Sequence, residues 1–329
     1  LALLIPVLLK APESEAKVYR GKCKSNLTWS YDSKTKTMVI DCKGDMPDDE
    51  QFYDLDMGWR KYYFKTKKVI LKKGISSIGA GAFYNFQKLE EVVLPEGLRI
   101  IKYDAFDGCR KLQFINKPST LEVIEKDVFW DVKIKSISLK NLKKLGSECF
   151  SGAKLQSVDI PAKCKIEDSV FWSCKKLKKV TFEKGVKRIS YGMFRETGIK
   201  NIDIPGSVTQ IGTYAFANCQ SLKKAIINEG VKKISKDAFS NTALKEITIP
   251  STVTKLGKNA FRWESTEKSS LKKVVIRSKN IKKWGTMVFG ATRDDLVIYV
   301  PQSKKAEYEK ILRSTNGLDF HAKIVGKKW

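Results

Sequence analysis

Phenylalanine recurs at positions 83, 106, 129, 150, 171, 194, 216, 239, 261 and 289, in steps of 23, 23, 21, 21, 23, 22, 23, 22 and 28 residues. The neighbours recur with it. Residues 199–216 and 244–261 share one pattern, an apolar residue in L-x-x-V-x-I-P-x-x-V-x-x-I-G-x-x-A-F, and the other units follow it with small departures. A fixed period of this length marks a chain built from one structural unit, stacked many times. In each unit the last two apolar residues of L-x-x-V-x-I lie two apart and share one side of a short strand. Proline then removes a backbone donor and ends the ladder. The V-x-x-I-G segment turns the chain, and Ala-Phe fills the interior on the far side. One unit cannot bury its apolar face alone, whereas stacked units bury a continuous core. The expected fold is therefore a repeat solenoid of ten to eleven coils, with a parallel sheet on one wall.

The pattern resembles the BspA-type leucine-rich repeats of bacterial surface and secreted proteins, across residues 66–301. Asn26-Leu27-Thr28-Trp29 followed by Gly44-Asp45-Met46-Pro47 resembles the β module that precedes such repeats, giving an N-terminal cap over 17–65. Val297-Ile298-Tyr299-Val300-Pro301 followed by a helical Lys304 to Leu312 resembles the usual final cap, over 302–329. The resemblance implies a right-handed leucine-rich-repeat coil, surface display and adhesion to host proteins. Departures are expected near Pro118 and Asn141, where strand ends are altered. The long step before Phe289 places a protruding loop at Trp263 to Ser270.

Leu1 to Leu9 are apolar apart from Pro6 and too few to span a bilayer, which needs roughly 20 residues. With Ser14 and Ala16 following, residues 1–16 read as a signal-peptide remnant, and the protein is expected to be secreted or at the cell surface. Export argues against nucleic acid as a physiological partner. An oxidising compartment would suit a disulfide between Cys23 and Cys42, which flank two hairpin strands. Cys109, Cys174 and Cys219 each follow a repeat Phe by three residues. They are expected to be packing residues, too many rungs apart to bridge. Cys149 and Cys164 have no assigned pairing.

Signals for catalysis are weak, and the chain is expected not to be an enzyme or to need a cofactor. The one histidine, His321, lies beyond the last repeat with no nucleophile motif beside it. No Cys-x-x-Cys pair supports a metal site. Asp45, Asp48, Asp49, Glu50, Asp54 and Asp56 could hold calcium or supply a glycosidase pair. Their spacing departs from the calcium-loop pattern, however, and nothing sets a cleft around them. Trp59, Tyr62, Tyr63 and Phe64 are expected to cover the open end of the core, since terminal repeats need capping.

Lys plus Arg outnumber Asp plus Glu by 63 to 36, a net charge of +27, which speaks to partners rather than fold. Strand alternation puts the third and fifth positions of each L-x-x-V-x-I on the exposed sheet face. That ligand-facing set contains Lys68, Glu91, Phe114, Asn116, Asp159, Lys179, Asn201, Asp203, Lys224, Glu246, Lys273 and Tyr299. Its four lysines meet four acids, so the palm of the sheet is nearly neutral. The excess falls on the second positions, Lys135, Lys178, Lys200, Lys223, Lys245 and Lys272, and on turn pairs such as Lys187-Arg188, Lys232-Lys233 and Lys282-Lys283. The sequence thus points to a monomeric binding protein. Its palm meets an extracellular protein or glycan, such as a host matrix protein, and its lysine flank meets an anionic wall polymer. A spacer without a ligand is the alternative.

Overall fold

The computed structural model describes residues 16–23, 27–49, 57–264, 269–290, 295–315, 318 and 321–329. Residues 1–15, expected to be a signal-peptide remnant, half of the expected 263–270 loop (265–268), and Glu50, Asp54 and Asp56 lie outside the described residues. The chain coils about eleven times, and one short helix, α1 (Lys305–Thr315), packs at its C-terminal end.

The palm begins with β1 (Val18–Cys23), β2 (Leu27–Asp32) and β3 (Thr37–Cys42), paired antiparallel. From β3 onward the added rungs are parallel, starting with Lys68–Leu71 and Glu91–Val93. Side chains alternate as the pattern requires: in Asn201–Ile204, Ile202 and Ile204 are buried while Asn201 and Asp203 are exposed. The ladder is interrupted where the sequence departs from the repeat. The strand before Pro118 shrinks to Phe114–Ile115, and no strand forms at 134–139. Beside the short strand the Asn116 amide substitutes for backbone: it donates to Leu94 O (2.8 Å) and accepts from Leu94 N–H (2.7 Å).

The V-x-x-I-G segment does more than turn. Its central pairs are two-residue strands that stack into a second parallel wall. One run joins Ile100–Ile101, Val123–Ile124, Lys144–Leu145 and Lys165–Ile166; the other joins Arg188–Ile189, Gln210–Ile211, Lys233–Ile234, Lys255–Leu256 and Lys283–Trp284. Where a glycine follows the pair, as at Gly146, Gly212, Gly257 and Gly285, it has a steric reason. A Cβ on Gly212 would sit 2.6 Å from Ile189 O, and one on Gly285 would sit 2.1 Å from Lys258 N. At these glycines the coils approach too closely for a side chain.

The third wall carries the phenylalanines. All ten stack face to face, with ring centroids 5.1–5.9 Å apart and planes within 18°. Backbone here alternates handedness: the residues two before and two after most of these rings take positive φ, as at Asp104 and Gly108 around Phe106. Asn, Asp and Gly suit that conformation, yet Glu148 and Tyr214 adopt it too. A ladder between coils holds them there. Phe83 N–H donates to Ala105 O (2.9 Å) and Asn85 N–H to Asp107 O (2.7 Å), and the same bonds recur down to Phe261 N–H and Val288 O (2.8 Å).

These bonds run from N–H to the following coil, so carbonyls of the first coil face the N-terminal end. Arg60 donates to Gly81 O (3.4 Å) and Tyr84 O (3.1 Å), and the Trp59 indole donates to Ala82 O (3.2 Å). Arg60 is 3% exposed, and its charge is met by Asp49 at 3.4 Å, 1% exposed. Trp59 and Tyr62 are buried, as a capping role requires, whereas Phe64 is exposed.

The Cys23–Cys42 disulfide is not formed. Cys23 on β1 and Cys42 on β3 both pair with Leu27, from opposite sides of β2. Two strand spacings amount to about 9.6 Å, beyond the roughly 7 Å a bridge spans. Cys23 Sγ instead lies 3.9 Å from Met57 Sδ, and Cys42 Sγ lies 3.6 Å from Asp45 O.

Candidate binding surfaces

The palm residues are held in pairs across rungs. Lys68 meets Glu91 at 2.8 Å and Lys273 meets Glu246 at 3.2 Å. Thr181 donates to Asp159, and the Asn228 amide donates to Asp203 at 2.6 Å. Lys179, Asn201 and Lys224 are exposed on the same face. Tyr299 is half-buried beneath the Lys327 ammonium, 4.8 Å from its ring centre, where strand Lys323–Lys327 adds a last rung. Asn116, expected to face a ligand, is instead committed to the Leu94 backbone. Apolar surface concentrates at the N-terminal end of the palm. Val39, Ile70 and Val93 are in register and half-buried, and Phe114 beside them is 62% exposed.

Along the edge leading into the palm, all six flank lysines are exposed. Backbone bonds bring them to neighbouring rungs: Lys223 N–H donates to Lys200 O (2.8 Å) and Lys272 N–H to Lys245 O (2.8 Å). Gln156 interrupts the row between Lys135 and Lys178. None of the six forms an ion pair among the described residues.

The second wall is a surface the sequence pattern did not reveal as such. Its early cations are matched. Glu122 takes Arg99 (3.1 Å) and Lys143 (2.9 Å), and Glu167 takes Lys144 (3.3 Å) and Lys165 (3.4 Å). These partners hold both carboxyls below the usual range, although burial opposes them at Glu167. From Arg188 to Lys283 the cations continue and the acids do not. Positions equivalent to Glu125 and Glu167 are Ser190, Gly212, Ser235, Gly257 and Gly285. A missed signal was available in that substitution, and in Lys255, which extends the noted lysine pairs.

The third wall is acidic early. Burial pushes the Asp104 and Glu148 carboxyls up, and it pushes Asp107 to about 6, with Asp104 and Asp127 adding repulsion. Later the same wall becomes aromatic, with its cations paired to acids: the Arg195 guanidinium lies 5.6 Å from the ring centres of both Trp172 and Tyr214 and 3.2 Å from Glu196.

The acidic segment at 45–56 does not converge on a cation among its described members. Asp45 accepts from Ser76 (2.6 Å) and Ser77 (2.7 Å), Asp48 binds Lys102 (2.9 Å), and Asp49 serves Arg60. They join the N-terminal module to the first coils. The repeat thiols are equally committed. Cys109, Cys174 and Cys219 lie 3.2, 3.0 and 3.0 Å from the carbonyls of Phe83, Phe150 and Phe194. Burial raises Cys174 to about 12 and Cys219 to about 11, which removes thiolate character at neutral pH. Cys149 and Cys164 are likewise thiols raised by burial. His321 is exposed on the turn before the last strand. No described helix is long and apolar enough to cross a membrane.

Three stacked walls, a phenylalanine spine and capped ends define a leucine-rich-repeat solenoid. The chain belongs to the BspA type leucine rich repeat family, whose model matches in six copies over residues 61–178 and 145–268. Proteins of this type are cell-surface or secreted. Solved structures share the fold. A leucine-rich repeat protein from Eubacterium ventriosum is 20% identical, with TM-score 0.60 over 86% of this chain and 84% of that one. Another from Bacteroides ovatus is 21% identical, with TM-score 0.60 over 92% and 89%. No curated protein matches the chain.

Proposed function

We propose that this protein is a non-catalytic binding module of the cell exterior, which holds an anionic polymer along its basic edges and offers its palm to a protein or glycan. The observation that carries this is the row of six exposed flank lysines with no acid partner among the described residues, gathered by the coil from positions up to 137 residues apart (Lys135 to Lys272). Like charges on neighbouring rungs repel, and a polyanion relieves that cost. The palm suits a different partner, because two of its four lysines are already paired with glutamates and Phe114 with Ile70 and Val93 gives it an apolar end. The raised pKa values of the buried thiols favour a non-catalytic reading.

The test is retention of the mature chain on heparin or purified wall polymer at low salt, with elution as salt rises. Charge reversal at Lys178, Lys223 and Lys272 should weaken retention. A chain that flows through at low salt would refute the polyanion role. For the palm, Phe114→Glu should abolish capture of a matrix protein or glycan found on an array. Unchanged capture would move that partner off the palm.

A further inference from the structure

The second wall carries a stronger cation array than the flank, over its C-terminal half. Arg188, Gln210, Lys233, Lys255 and Lys283 face one another in strict strand register on successive rungs. All four cations are exposed, and none forms an ion pair among the described residues. At about 4.8 Å per rung the column spans roughly 19 Å. Lys187, Lys232 and Lys282 stand one residue earlier on the same rungs and widen it to a double file. Flank lysines stand just before the palm strands, whereas these sit within the strands of the second wall.

The contrast with the first half of the same wall shows that the fold does not require this. There, Glu122 and Glu167 each bridge two cations. In the second half like charges directly opposite one another are left standing, an arrangement that destabilises a sheet. Between the cations stand groups that accept hydrogen bonds. Gln210 donates its amide to Ser235 (3.5 Å), which leaves its carbonyl oxygen for another partner, and Thr209 and Thr254 present hydroxyl oxygens on the rungs between. Lysine ammonium only donates. A ligand that satisfies the whole column therefore carries regularly spaced anions together with hydroxyl donors.

We infer that the second wall from Arg188 to Lys283 is a docking surface for a linear sulfated polysaccharide, lying along the solenoid axis. This rests on the polyanion reading above and names where and what the polymer is. The test compares the intact chain with two triple variants, Lys233→Gln with Lys255→Gln and Lys283→Gln, and Lys178→Gln with Lys223→Gln and Lys272→Gln. Affinity for heparin oligosaccharide is measured against salt, and circular dichroism checks the fold. The wall variant should lose more than tenfold, and its slope of log affinity against log salt should fall by about two to three, roughly one per cation removed. The flank variant should lose less. Heparin stripped of sulfate should not bind, and polyphosphate of equal charge should bind more weakly for want of hydroxyls. Loss in the flank variant alone would overturn the wall site while leaving the polyanion role standing. Equal binding of polyphosphate would overturn the polysaccharide assignment. A wild-type chain that binds neither polymer would remove both proposals.

Discussion

The two halves of the second wall share backbone, register and buried residues, and differ in what they do with charge. Arg99, Lys143, Lys144 and Lys165 each have a glutamate within 3.4 Å, while the cations of the column from Arg188 to Lys283 form no ion pair among the described residues. The third wall does not share the division: late cations such as Arg195 and Lys236 are paired there with Glu196 (3.2 Å) and Asp237 (3.8 Å). Both halves keep the same phenylalanine spine. Coil geometry is thus set by the interior and by the ladders, and the surface is free to be written for a partner. A family of shared fold can carry unrelated ligands for this reason.

Spine equivalence can be broken most sharply by truncation. Phe129→Ala and Phe239→Ala, one in each half, should each lower unfolding free energy by about 3–5 kcal/mol, because both rings are fully buried and stacked on two sides. Urea denaturation measures this, and a loss below about 1 kcal/mol in one half would show that its spine is not packed as described.

Acidity probes the early third wall next. Asp107 has a folded pKa of about 6, above the unfolded value, so folding favours its protonated form. Its ionisation is a penalty at pH 7, and that penalty shrinks as pH falls through 6. Thermal stability should therefore rise between pH 7 and 5, before the glutamates with lowered pKa lose their partners below about 4.5. Asp107→Asn should flatten that rise, whereas a retained slope would assign it to other groups.

Charge swaps on the second wall give the smallest and most discriminating effects. Glu167→Gln should destabilise by less than about 1 kcal/mol, since its pairs are partly solvated. Lys255→Gln should stabilise by a few tenths of a kcal/mol at low salt, by relieving two facing charges. Same-sign changes in melting temperature would deny that the halves differ in charge matching.

Much of this was legible in the sequence. Phenylalanine spacing, the strand alternation of Ile202 and Ile204, the altered units near Pro118 and Asn141, and the packing thiols all follow from a long, regular repeat. The second wall was not, because two-residue strands such as Gln210–Ile211 are too short to show a period of two. Its apolar residues, Val208 and Ile211, read as turn spacing. Left-handed residues such as Tyr214 carry no chemical mark of their conformation, which is imposed by bonds to adjacent coils. The disulfide expectation failed because β1 has little alternation to announce it: four of its six residues are exposed. Once β1 pairs with β2, it carries Cys23 to the far side of Leu27. Among the surface residues, Asn116 faced outward as expected, but the shortened strand beside it had already claimed its amide.

The most direct test of a repeat coil that gathers cations for a polyanion is the salt dependence of heparin oligosaccharide binding by the unmodified chain, measured by calorimetry. Several cations engaged at once predict a steep, linear fall of log affinity with log salt, with a slope on the order of three or more. A slope near zero would contradict the account.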